Sequence, residues 1–429
     1  MATVPAPTDR STERQASADA ERRWRRGALG SPNFQTYFAG AAAAQCGSWL
    51  LRTTQAWLVL DLTGSPAALG LVTAAQALPV TILTLFAGVL LDRSPARPLL
   101  VAVQVVFAIQ AAILAVLVFT NQIQLWHVMV LALILGIASA VDFPTRSAIV
   151  SELVEPPLVG NGIAVNSALN SAARIIGPGV GGLILAVWGS AACFALVTVT
   201  YLGASAALLM LRGDHFYAKR QARRTLVFKQ LAEGLRYSFS TPSLAINMVL
   251  AGFYGTFAYN WAMVLPLMAR FALDSGAEGF GLLNMAMGAG STVGAFLLAT
   301  RVKPGLPLLL ISAAVFATFM FILAHAPSMP IALGVLVCTG ILSVGFNATN
   351  NTLIQVEAQE ELRGRVLSLY TLLMIGSTPL GSTITGFTAN TFDIRVALQI
   401  NAGLCLVGLA LATLLFARTR QGAQESRPP

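Results

Sequence analysis

The chain has 429 residues, 56% of them hydrophobic and 10% charged, with a mean hydropathy of +0.71 and a net charge of +9. Soluble domains are about 25% charged, so this composition lacks the polar surface to coat a globule in water and excludes an ordinary cytosolic enzyme. It fits a polytopic membrane protein, and the 37 glycines suit helices that approach closely in lipid.

Residues 1–33 are polar and carry Glu21-Arg22-Arg23-Trp24-Arg25-Arg26 with no apolar core before a cleavage site, so they read as a solvated, disordered cytoplasmic tail and not a signal peptide. Runs of about 20 apolar residues, the length a spanning helix needs, follow at 34–60, 66–91, 97–120, 123–146, 158–187, 189–211, 243–271, 276–300, 305–326, 329–354, 362–389 and 393–417. Continuous apolar runs exclude a β-barrel and predict helices, which satisfy their own backbone in lipid. Twelve spans put both termini on one side. Every Lys and Arg except Arg52, Arg174, Arg270 and Arg395 then falls on that side, the asymmetry expected of cytoplasmic segments. The positive charge is therefore topological, and no nucleic-acid partner is expected.

The predicted fold is an all-α membrane protein of twelve transmembrane helices in two pseudo-symmetric six-helix bundles, at 34–211 and 243–417. A basic cytoplasmic linker, 212–242, joins them, and a cytoplasmic tail, 418–429, ends the chain. The linker reads either as an amphipathic helix on the membrane surface or as a solvated connector. The halves echo each other: Leu158 and Leu362 open corresponding spans, and Pro178 and Pro379 sit at matching depth. A 6+6 repeat around a central site is the layout of secondary transporters. No phosphate-binding loop occurs, and Cys46, Cys193, Cys338 and Cys405 form no metal motif, so no cofactor or metal is expected.

The loop after the second span reads Gly88-Val89-Leu90-Leu91-Asp92-Arg93-Ser94-Pro95-Ala96-Arg97. It resembles the G-x-L-x-D-R-x-G-R-[RK] signature of the major facilitator superfamily, with Pro95 and Ala96 departing from the pattern. The resemblance implies a charge latch of Asp92 with Arg93 and Arg97 at the inner mouth, and close packing at Gly88. Gly177-Pro178-Gly179-Val180-Gly181-Gly182 is similar to the core of the superfamily's antiporter motif. There Pro178 would bend the span, and Gly177, Gly181 and Gly182 would form a close seam. Further stretches, Asn33 to Ser65, Asp142 to Asn161 and Asn166 to Gly182, look like the branch that holds macrolide and multidrug exporters and the enterobactin exporter. The resemblance covers nearly the whole chain outside the tails.

Candidate substrate-binding residues follow from polar groups inside spans, which are costly there. Asn166, Asn170 and Arg174 recur every four residues and predict a polar stripe on a cavity, with Arg174 near mid-depth. Arg174 could instead be capped by carbonyls near Pro178. Arg52, with Gln55 nearby, faces either the cavity or the outer interface. The second half offers Asn347, Asn350 and Asn351 on one helix face, and Tyr254, Asn260 and Trp261 on the seventh span. Asp142, the one acid inside a span, pairs with Arg146 as a gate or anchors a loop. The expected function is export of a drug-like or siderophore-like molecule by alternating access, with proton antiport, by a monomer in the cell membrane. An uptake carrier for an anionic or polar metabolite is the alternative.

Overall fold

The computed structural model describes residues 27–212, 227–301 and 305–425. The side chains at 85–93, 175, 227–231, 298–301 and 418–425 lie outside that description, and with them the expectations placed on Gly88, Asp92 and Arg93. The helices are α1 Pro32–Thr63, α2 Pro66–Arg93, α3 Ala96–Phe119 and α4 Leu125–Leu153; α5 and α6 share the run Val159–Leu209. The second half holds α7 Val227–Ser240, α8 Pro242–Phe257, α9 Trp261–Leu267, α10 Ala277–Arg301, α11 Leu306–Ala324, α12 Met329–Glu357, α13 Glu360–Gly376, α14 Thr378–Thr391 and α15 Ile394–Glu425.

Among the described residues, ten helical stretches are long and apolar enough to cross a bilayer. One of them, Pro156–Leu209, is two passes: Gly189, at φ 76° and ψ 177°, turns the chain between α5 and α6 where a side chain would be strained. Helix α1, 32 residues long, has the length for a further pass; Arg52 and Asp61 lower its hydropathy. The twelve expected spans are thereby accounted for. The seventh pass is α8 and α9, broken at Ala258–Asn260 and ended by a π-turn at Met268–Ala272. The eleventh is α13 and α14, broken at Ser377 before Pro379.

Local chemistry sets the ends. Ser31 and Ser65 accept hydrogen bonds from the amides of Phe34 and Ala68, and Pro32 and Pro66 open the helices behind them. Gly64 closes α1 in the left-handed conformation. Residues 27–33, expected within the solvated tail, are docked instead. The Ala28 amide donates to Asn161 Oδ1 at 2.8 Å, and Asn33 exchanges two hydrogen bonds with the Arg212 backbone at the end of α6. The described part of the linker is helix α7, which is packed on the second bundle. Gly234 meets the Arg365 backbone, Glu233 ion-pairs with Arg365, and the Gln359 amide donates to the Tyr237 hydroxyl.

The passes form two bundles, α1–α6 and α8–α15. Large apolar side chains such as Phe119, Val187 and Phe296 stand on the outward faces, as a lipid-facing belt requires. The bundles touch mainly toward one end: α2 runs along α14 but only briefly along α13, and α5 runs along α10. Two glycine pairs make these seams. A Cβ on Gly182 would fall 2.7 Å from the Gly281 Cα, and one on Gly70 would fall 2.7 Å from the Ser382 carbonyl oxygen and 3.2 Å from the Gly386 Cα.

Candidate functional site

The described contacts between the bundles gather at one end of the interior, which they close. At the closed end, next to the seams, Arg270 at the end of the seventh pass ion-pairs with Asp61 of α1 and lies 5.6 Å from the Trp57 ring centroid. Trp57 in turn stacks on Phe280 of α10 at 6.2 Å, and Ser65 donates to Asn390 of α14 at 2.9 Å. Asp61 and Arg270 are 209 residues apart in the chain, a separation that a reading of spans one by one does not bridge. The signal was present nonetheless: Arg270 breaks the basic-side rule, and the opposite charge sits at the same depth.

The pair is partly exposed, with side chains 32% and 46% accessible, so its strength is that of a surface pair, about 0.2–1 kcal/mol. The cation–π contact adds about 0.5–1 kcal/mol. Removing both shifts a two-state equilibrium by about three- to thirtyfold. Arg270→Ala is expected to raise the population open at this end several-fold, read as thiol labelling of a cysteine introduced at Leu62; unchanged labelling would count against the latch.

Within the first bundle a polar cluster is built around Asp142 of α4. Arg146 Nε donates to Asp142 Oδ2 at 2.7 Å, and Gln104 Nε2 of α3 approaches Oδ1 at 3.4 Å. Tyr37 of α1 neighbours Arg146, while Arg52 of α1 lies in electrostatic range of Asp142 and Tyr201. The expectation that α4 ends at Arg146 is corrected here. The helix continues through Pro144 to Leu153, and Arg146 is buried rather than in a loop. A small cavity lined by Tyr37, Gln104 and Arg146 has about 10 Å³ of room, the scale of one water. Gln104 Oε1, without a protein partner, belongs to a residue lining it.

The antiporter-like segment divides between two contacts. Gly177 and Gly181 face α1, where added Cβ atoms would strike Trp49 and Leu50. Gly179 and Gly182 face α10. Pro178 keeps helical dihedrals within α5. Arg97 donates to the Leu208 and Leu209 carbonyls at 2.9 and 2.7 Å and caps the end of α6; its expected latch partner, Asp92, has its side chain outside the described residues.

Asn166 is half-buried, and Asn170 and Arg174 are exposed. Arg174 lies within electrostatic reach of Tyr259 in the second bundle, and among the described residues no hydrogen bond ties it to the carbonyls near Pro178. Opposite it, Tyr259 donates to the Ser343 carbonyl at 2.6 Å. Asn347 Oδ1 accepts from Asn351 at 2.8 Å and from the Tyr370 hydroxyl at 3.3 Å. Tyr370 and Gln104 were not singled out in the sequence.

Several expected binding residues turn inward. Tyr254 is fully buried, donates to the Ala313 carbonyl at 2.6 Å and stacks on Phe346, so it is core. Asn350 is fully buried; its side-chain amide donates to the Phe346 carbonyl, and its backbone carbonyl accepts from the Asn247 side chain, so it leaves the face shared by Asn347 and Asn351. Asn260 is buried against Gly381 and bonds the Thr256 carbonyl. Gln55 is buried with Oε1 unpartnered, and Trp261 packs on Phe316 with its indole N–H unpartnered.

A family profile described as transmembrane secretion effector matches residues 27–428. The chain is 23% identical to the staphyloferrin A transporter of Staphylococcus aureus, covering 83% of this chain and 90% of that protein. It is 24% identical to the multidrug efflux pump Tap of Mycolicibacterium fortuitum, covering 90% and 96%. In fold it is similar to the nucleoside transporter NupG, with a TM-score of 0.75 at 13% identity, covering 90% of this chain and 99% of that one. With nearly its whole length matched and a helical fold of two such bundles, the chain belongs to the transmembrane secretion effector family within the major facilitator superfamily.

Proposed function

We propose that the protein is a secondary-active exporter of a small organic molecule, working by alternating access as a proton antiporter. The observation that carries this is the asymmetry of the bundle interface. Small-residue seams and one partly exposed ion pair close the end opposite the basic segments, while Arg174 stands exposed between the bundles. Weak, separable contacts of this kind suit a joint that opens in each cycle. The basic end is assigned to the cytoplasm on the distribution of Lys and Arg, which makes this the inward-open state of a monomer whose termini are cytoplasmic.

Asp142 is the proton-coupling residue in this reading. Among the described residues it is the one carboxylate well inside a pass. Its ion pair with Arg146 is the arrangement expected once a proton has been released inward; a proton taken up from the other side would cancel the pair and free Arg146 to move. The names of the similar exporters support the outward direction.

Inverted membrane vesicles test the proposal. With an acid-inside gradient, vesicles containing the protein are expected to accumulate carboxyfluorescein or ethidium beyond empty vesicles and to release the dye when a protonophore is added. Asp142→Asn is expected to reduce accumulation to the empty-vesicle level while leaving dye binding to the purified protein intact. Accumulation only in right-side-out vesicles would overturn export in favour of uptake. Gradient-driven accumulation by Asp142→Asn would remove Asp142 from coupling.

A further inference from the structure

We propose that the interior between the bundles selects organic anions, and specifically carboxylate-bearing ones, over cations. The inference rests on the export reading of the same interior, and three observations carry it.

The first is charge balance. Asp142, well inside its pass, is ion-paired with Arg146 and has Arg52 in range as well, so these three carry an excess of one positive charge. Arg174 adds another: no carboxylate pairs with it among the described residues, and Tyr259, its neighbour across the interface, has already committed its hydroxyl to the Ser343 carbonyl. A guanidinium has five donors and no acceptor, so Arg174 is left with unmet donors in the open interior.

The second is placement. Helices α1 and α5 run in the same direction and cross where Gly177 meets Trp49. Arg52 lies three residues beyond the crossing toward the closed end, and Arg174 three residues before it toward the basic end. At 1.5 Å per residue, the two arginine backbones are offset by about 9 Å in depth. Arg52 is the single residue from Leu51 to Leu60 that is not buried. A molecule reaching both guanidiniums would span that offset, as an extended molecule with separated carboxylates does.

The third is the character of the facing wall. Asn347 Oδ1 already accepts two hydrogen bonds, and its amide nitrogen, bonded through one hydrogen to the Tyr259 hydroxyl, keeps a second N–H to donate. Both walls therefore present donors. Carboxylates accept on both oxygens and match a guanidinium in bidentate fashion, whereas an ammonium or a quaternary nitrogen meets only like charge.

The test is binding and transport with two dyes of similar size, anionic carboxyfluorescein and cationic ethidium, and with citrate as competitor. Binding is read by fluorescence anisotropy on the purified protein. Carboxyfluorescein is expected to bind, citrate to compete, and ethidium to bind at least tenfold more weakly. Arg174→Gln is expected to weaken carboxyfluorescein binding by about ten- to a hundredfold, the loss of one charge-assisted pair, and Arg174→Lys to recover part of it. Arg174 is exposed, so neither change opens a core cavity; size-exclusion profiles verify the fold.

Tighter binding of ethidium, no binding of carboxyfluorescein, or carboxyfluorescein binding indifferent to Arg174→Gln would each overturn the proposal. Inverted vesicles separate it from the export reading. If ethidium alone accumulates, export stands and anion selectivity falls. If carboxyfluorescein binds in an Arg174-dependent way but is not accumulated, the anion site stands and export falls.

Discussion

Gly182→Leu is expected to abolish gradient-driven transport while leaving the protein folded. A Cβ at Gly182 would lie 2.7 Å from the Gly281 Cα, 2.9 Å from the Ala277 carbonyl oxygen and 3.1 Å from the Gly281 nitrogen. All three are backbone atoms of α10, so no side chain can swing away; the two helices have to separate. Leucine adds three more carbons to the same gap. Because α5 and α10 belong to different bundles, the separation opens the interface and not the core of either bundle. The state closed at this end is therefore lost, and the cycle stops with the interior facing outward. Spin labels at positions 62 and 275, on opposite sides of the closed end, are expected to move apart in the variant. Gly203→Leu is the control, since a Cβ there meets nothing within 4 Å. A Gly182→Leu protein that transports at the normal rate would remove the α5–α10 seam from the mechanism.

The broad architecture was legible in the sequence because lipid imposes a one-dimensional rule. A pass needs its length of apolar residues, and positive residues mark one side. The turn at Gly189 was legible for the same reason, as a break between apolar runs. What one dimension does not carry is azimuth. Asn347, Asn350 and Asn351 at i, i+3 and i+4 span about 100° of the helix. That arc is wide enough for Asn350 to fall behind α8 while the other two stay half-exposed. Polarity also misleads when the helix itself supplies the partner. Asn350 and Asn260 each donate to a carbonyl four residues back, so a buried amide need not face a cavity. Tyr254 reaches a carbonyl on α11, a partner 59 residues away. The end of α4 was misplaced because an Arg after a Pro reads as a loop. In the fold, Asp142 one turn earlier supplies the counter-charge that lets Arg146 remain buried.

That dependence makes Arg146 the position where a single change is expected to cost most stability. Arg146→Ala leaves the Asp142 carboxylate in a bundle interior with only the 3.4 Å contact from Gln104 and the more distant Arg52. Removing one member of a buried pair costs about 3–5 kcal/mol, because the remaining charge has lost its compensation. The packing of the Arg146 stem against the cavity lined by Tyr37 and Gln104 is lost as well. Asp142→Asn/Arg146→Gln removes both charges and keeps both shapes, so it is expected to recover most of that loss. Thermal denaturation of the purified protein in detergent reads the difference: a large drop in Tm for Arg146→Ala and a small one for the double variant. Transport discriminates in the opposite sense. The double variant, though stable, has no carboxylate to carry a proton and is expected to bind dye without accumulating it against a gradient. Equal Tm values for the single and double variants would mean that the pair contributes through packing alone, and Asp142 would then lose the electrostatic partner on which its proposed coupling role depends.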